Sequence, residues 1–105
     1  MITVLYDEEN FSLTMKGHAR SAPMGNDLVC AAASMLMFTL EATVADHIQA
    51  LMPTVVKTDG EIRISCRPAP RQKRLCRTIM RTIYTGCELL QQAYPDNVKT
   101  IREGT

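Results

Sequence analysis

The sequence predicts an α+β layered domain, on three observations. Two short runs of alternating apolar and polar residues open the chain, a long apolar helical run follows them, and a second strand pair leads into an amphipathic helix. In the first run Ile2, Val4 and Tyr6 alternate with Thr3, Leu5 and Asp7, and Glu8-Glu9-Asn10 reads as a turn. Phe11, Leu13 and Met15 alternate with Ser12, Thr14 and Lys16, a second strand that ends at Gly17-His18 and pairs with the first. A loop without periodicity follows, from Ala19 to Asn26, with Pro23 and Gly25 against helix. Asp27 is placed to cap a helix whose first turn is Leu28-Val29-Cys30 and which runs to a stop before Pro53. Its first half is apolar nearly all round, as expected of a helix covered by a sheet on one side and by something else on the other.

Thr54 to Lys57, the turn Thr58-Asp59-Gly60, and Glu61 to Cys66 form the next hairpin, ended by Pro68 and Pro70. From about Arg71 to Tyr94 the apolar positions 76, 79, 80, 83, 87, 90 and 94 step by three and four, an amphipathic helix closed by Pro95. Val98 to Arg102 supplies a short terminal strand. The order is β-β-α-β-β-α-β, a mixed or antiparallel sheet of four or five strands with two helices, and residues 1–105 read as a single domain.

With twelve Lys+Arg against eleven Asp+Glu, the net charge of +1 sets up no field that argues for direct nucleic-acid or membrane binding. The apolar run from Leu28 to Leu40 falls short of the about 20 residues that span a bilayer. The start, MITVLYDEEN, has no basic segment followed by an apolar core, so the expectation is a cytoplasmic protein. Cysteines 30, 66, 76 and 87 form no CxxC pair and no Cys/His grouping of zinc spacing, so neither metal nor cofactor is expected. Three of the four are accounted for as small packing residues. Cys30 is the exception.

Cys30 opens a helix just after a strand that ends at His18. A cysteine in the first turn of a helix lies near unpaired N–H groups and the positive end of the macrodipole, which favour thiolate over thiol. An adjacent imidazole that accepts the thiol proton completes a nucleophile. The reading is therefore Cys30 as nucleophile, His18 as general base and then acid, and N–H groups around residues 28 to 30 as oxyanion donors. Asp27 is either the cap or the orienter of His18; a carboxylate close to Cys30 opposes the thiolate, which favours the cap. The Ser34 hydroxyl, one turn past Cys30, either bonds near the site or to the carbonyl four residues back. On residue types and spacing alone a Cys and a His remain a nonspecific pair, and packing is the commoner role for a cysteine such as Cys30.

Taken together, Gly17-His18-Ala19, a loop ending in Gly25-Asn26-Asp27, then Val29-Cys30-Ala31 with Ser34 four residues beyond the cysteine, resemble the ribosomal-processing cysteine proteases of Gram-positive and related bacteria. The small size, the MITV start and the element order agree with that family over most of the chain. The resemblance implies a cysteine endopeptidase that removes a short N-terminal extension from a large-subunit ribosomal protein, number twenty-seven. It places the catalytic pair on Cys30 and His18, and further motif positions on Gly17, Asp27 and Ser34. It also implies a homodimer and a substrate loop between His and Cys, here Ala19, Arg20, Ser21, Ala22, Pro23, Met24, Gly25 and Asn26, which matches the family least.

Two other readings compete. Arg71, Lys73, Arg74, Arg77 and Arg81 gather five cations at the start of the second long helix, either a solvated face or a phosphate-binding patch of a non-catalytic ribosome- or RNA-associated protein. Two Phe, three Tyr and no Trp leave few stacking platforms for RNA. The third is a structural dimer, for which Gly86 permits close helix approach and His47 is a surface or interface residue.

Overall fold

The computed structural model describes residues 1–17 and 24–104, with the side chains of 24–27 outside that description. Five strands, β1 (Ile2–Asp7), β2 (Ser12–Lys16), β3 (Pro53–Thr58), β4 (Glu61–Cys66) and β5 (Val98–Glu103), form one sheet in the order β3-β4-β2-β1-β5. All neighbours are antiparallel except β1 and β5, so the sheet is mixed. Helices α1 (Met24–Ala45) and α3 (Lys73–Ala93) pack on one face, and a short helix, α2 (Ile48–Leu51), lies between α1 and β3.

Alternation sets which side of the sheet is covered. Val4 pairs with Met15, Tyr6 with Leu13, and Leu13 with Ile64, so these side chains share the helix-facing side and are buried. Thr3, Leu5, Ser12 and Arg63 take the opposite, open side. From the helices, Val29, Ala33, Met37, Leu40 and Val44 of α1 meet Cys76, Met80, Ile83 and Cys87 of α3 over that sheet. Gly86 lets the two helices close in, because a Cβ there would stand 2.7 Å from Leu36 Cδ2. The close approach that Gly86 permits is therefore made within the chain and says nothing for an interface.

Three boundaries differ from the expectation. Phe11 belongs to the turn: Asp7 accepts hydrogen bonds from the Asn10 backbone N–H (3.2 Å) and from Asn10 Nδ2 (2.7 Å), and Phe11 takes φ 50° before β2 begins. Helix α1 starts at Met24, so Met24-Gly25-Asn26 are helical and Asp27 is inside the helix, where it is no N-cap. The run also does not continue to Pro53. Asp46 and His47 turn, α2 restarts at Ile48, and the new direction drives Leu51 into the core while Ile48 stays exposed. Met52 ends α2 in the left-handed region, just before Pro53.

Helix α1 is covered on one side only. Leu28 (67% exposed), Met35 (63%) and Phe38 (51%) line its outer face, so the second covering layer expected there is absent among the described residues. Leu28–Ala45 has the length and mean hydropathy of a membrane span, yet its inner stripe is built into the sheet core.

Candidate active site

Strand β2 ends where the proposed site begins. Gly17 has φ 87° and donates its N–H to the Gly60 carbonyl at 2.8 Å; a Cβ at Gly17 would overlap the Met1 carbonyl oxygen. Only glycine meets both the backbone angle and the close approach without displacement. The end of β2 is thereby fixed at Gly17 beside the start of β1 and the β3–β4 turn. His18 itself and residues 19–23 of the expected substrate loop lie outside the described residues.

Cys30 sits on α1 with its side chain partly exposed and packed against the core cluster, and Ser34, also partly exposed, is one turn further along the same side. Because α1 starts at Met24, Cys30 is the seventh residue of the helix, about 9 Å up the axis at 1.5 Å per residue. The expected first-turn position is thus corrected to the second turn. The N–H groups of 28 to 30 fall within the helix's own i to i−4 hydrogen bonding, so the oxyanion donors assigned to them are corrected too: the uncommitted N–H groups within α1 are those of 24 to 26. The Asp27 side chain lies outside the described residues.

The other three cysteines are packing residues. Cys66 is 3% exposed, and Cys76 and Cys87 are fully buried. A hydrogen bond to Cys66, with burial added, pushes the Cys76 thiol up, and burial pushes Cys87 up to about 12. Neither ionises near neutrality. No group of three or more metal-ligating side chains occurs among the described residues. A broad groove of about 1240 Å³ crosses the open face of the sheet, lined by Leu5, Phe11, Thr14, Arg63 and Arg67 among others, and includes neither Gly17 nor Cys30.

A separate ionic cluster lies at the opposite end of the strands. Glu8, read from sequence as a turn residue, is 6% exposed. Its Oε1 accepts from Arg81 and faces Arg77 Nε at 3.5 Å; its Oε2 accepts from Arg102 Nη2 and from Arg102 Nε at 3.0 Å. Burial alone would raise Glu8, but the Arg102 hydrogen bond and the charges of Arg102 and Arg81 outweigh it and hold the carboxyl below the usual range. The period-two pattern contained the signal: Ile2, Val4, Tyr6 and Glu8 all fall on the inward parity. Close to this cluster the Tyr6 hydroxyl is buried with no hydrogen-bond partner among the described residues, its ring 5.3 Å from that of Tyr84.

Cys30 is the one cysteine of the four that is not buried, and the comparisons supply the class of the protein. The family model described as cysteine protease Prp matches residues 1–99, and the chain belongs to that family of cysteine proteases. Among solved structures the fold is similar to the essential ribosomal processing protease Prp of S. aureus with a covalently linked product peptide, at 22% identity and TM-score 0.79, covering 98% of this chain and 100% of that one. The same S. aureus protease with a substrate peptide gives the same values. SMU.848 of Streptococcus mutans matches at 21% identity and TM-score 0.70, covering 97% of this chain and 91% of the other. No curated protein matches the chain by sequence.

Proposed function

We propose that this protein is the endopeptidase that removes a short N-terminal extension from ribosomal protein twenty-seven of the large subunit, with Cys30 as nucleophile and His18 as general base and acid. The observation that carries the reading is the family match over residues 1–99 together with the Gly17-His18 and Cys30 positions within it. In the first step His18 takes the thiol proton and the Cys30 sulfur attacks the scissile carbonyl carbon. The imidazolium then protonates the departing amine, leaving a thioester on Cys30. A water deprotonated by the same imidazole releases the acyl group and restores the thiol. The N–H groups of 24 to 26 at the α1 start are the donors for the oxyanion, and residues 19 to 23, which precede α1, are the segment that meets the substrate.

The same reading places the protein in the bacterial cytoplasm, where ribosomes mature and thiols stay reduced. It also makes the protein a homodimer, with the exposed apolar face of α1 at Leu28, Met35 and Phe38 as the surface a second copy covers. Incubation of the precursor ribosomal protein with the wild type, followed by mass spectrometry, tests the function. Loss of the extension is expected with the wild type, and a fall in rate of about 1000-fold or more with Cys30→Ala or His18→Ala at unchanged melting temperature. Cleavage retained by either variant rejects the assignment.

A further inference from the structure

The arginines around Glu8 outnumber the charge they neutralise. One carboxylate, 8% exposed, holds Arg77, Arg81 and Arg102, whose side chains are 41%, 51% and 39% exposed, which leaves two net positive charges fixed at the surface. Arg74 has no ion-pair partner among the described residues and stands one turn before Arg77 on the same side of α3. Arg74, Arg77 and Arg81 thus form a strip along the first nine residues of α3, widened by Arg102 from β5. Glu88, two turns beyond Arg81, is the single acidic residue of α3. Asp7 and Glu103 point to the open side of the sheet by strand parity, away from the strip.

The anchoring matters because guanidinium groups ordinarily lose rotamer freedom on binding an anion, and Glu8 has already ordered three of them. Each contacts Glu8 through one or two of its N–H groups and keeps the rest for another acceptor. The strip is flanked by exposed Thr78 and Thr82, and it offers no aromatic platform, since Phe11 is buried with its ring 5.6 Å beneath Arg77. That chemistry suits phosphate oxygens and gives bases nothing to stack on.

We propose that Arg74, Arg77, Arg81 and Arg102 form a binding strip for the phosphodiester backbone of RNA, sequence-independent and separate from the proteolytic site. Helices α1 and α3 start from opposite ends of the sheet and meet at Leu36 and Gly86, so Cys30 and Arg77 lie about 20 Å apart along the axes at 1.5 Å per residue. The net charge of +1 conceals the strip because the balancing acids lie elsewhere on the fold.

Fluorescence anisotropy with a labelled 12-nucleotide single-stranded RNA of mixed sequence tests it, run between 50 and 200 mM salt. Four phosphate contacts give a log–log salt slope of about −2.8, a weakening of about 50-fold over that range. Arg74→Ala, which leaves the Glu8 cluster intact, reduces the slope by about 0.7, and Arg74→Glu weakens binding at 50 mM by about tenfold or more. A single-stranded DNA of the same length binds comparably, and Cys30→Ala binds as the wild type does. No binding at 50 mM salt, an Arg74 variant indistinguishable from wild type, or a polyglutamate peptide of equal length binding as tightly as the RNA overturns the proposal.

Discussion

The two ends of this sheet are organised differently. At the Gly17 end the described residues supply backbone geometry: a glycine at φ 87° against Met1, a strand terminus fixed to Gly60, and a partly exposed thiol on α1. At the Glu8 end the structure rests on charge, with one buried carboxylate joining the end of β1, the start of α3 and β5. The contrast teaches that ionic anchoring lies at the end of the sheet away from the proposed nucleophile. A nucleophile that works by changing its protonation state gains nothing from a neighbouring network that changes charge with pH.

That separation predicts opposite phenotypes. Where Cys30→Ala removes cleavage and leaves stability unchanged, Glu8→Gln is expected to cost about 2 kcal/mol of stability, because three guanidiniums lose their shared partner, while cleavage below the melting transition persists. The pH dependence has a definite sign. Glu8 titrates lower in the folded chain than in the unfolded one, so its contribution is complete above its ordinary value near 4.5 and is lost as pH falls through the folded value. Chemical denaturation across pH 3 to 7 checks this: the wild type loses stability on the acid side, and Glu8→Gln shows a smaller loss there. An unchanged acid limb in the variant breaks the comparison.

A smaller effect sharpens it from the other end. Gly17→Ala places a methyl group on the Met1 carbonyl oxygen at a positive φ, with an expected cost of about 1 to 2 kcal/mol. His18 is the next residue in the sequence, so on the proposed mechanism cleavage is expected to fall more than the stability loss explains. Cleavage falling only in proportion to the unfolded fraction would show that Gly17 serves the fold and not the site.

Much of the architecture was legible because it depends on local periodicity. The alternation of Ile2, Val4 and Tyr6, the three-and-four spacing of Cys76, Met80, Ile83 and Cys87, and the Gly60 turn each identify an element without reference to the rest of the chain. What was missed depends on partners distant in sequence. Glu8 looked like a turn residue because its arginines lie about seventy and ninety residues away, and the break at Asp46-His47 follows from where Leu51 must go. The early start of α1 was hidden because Gly25 reads as a helix breaker. Of the candidate site, the motif named Gly17 and Cys30, and the structure places Gly17 at the end of β2 and Cys30 in the second turn of α1. The chemical partnership between Cys30 and His18 follows from the resemblance, since His18 lies outside the described residues.

Competition alkylation with iodoacetamide at neutral pH, read by peptide mass spectrometry, addresses that partnership most directly. The account predicts that Cys30 reacts faster than Cys66, Cys76 and Cys87 by about tenfold or more, and that His18→Ala slows Cys30 without altering the other three. A Cys30 rate equal to that of the buried thiols, or one indifferent to His18→Ala, contradicts it.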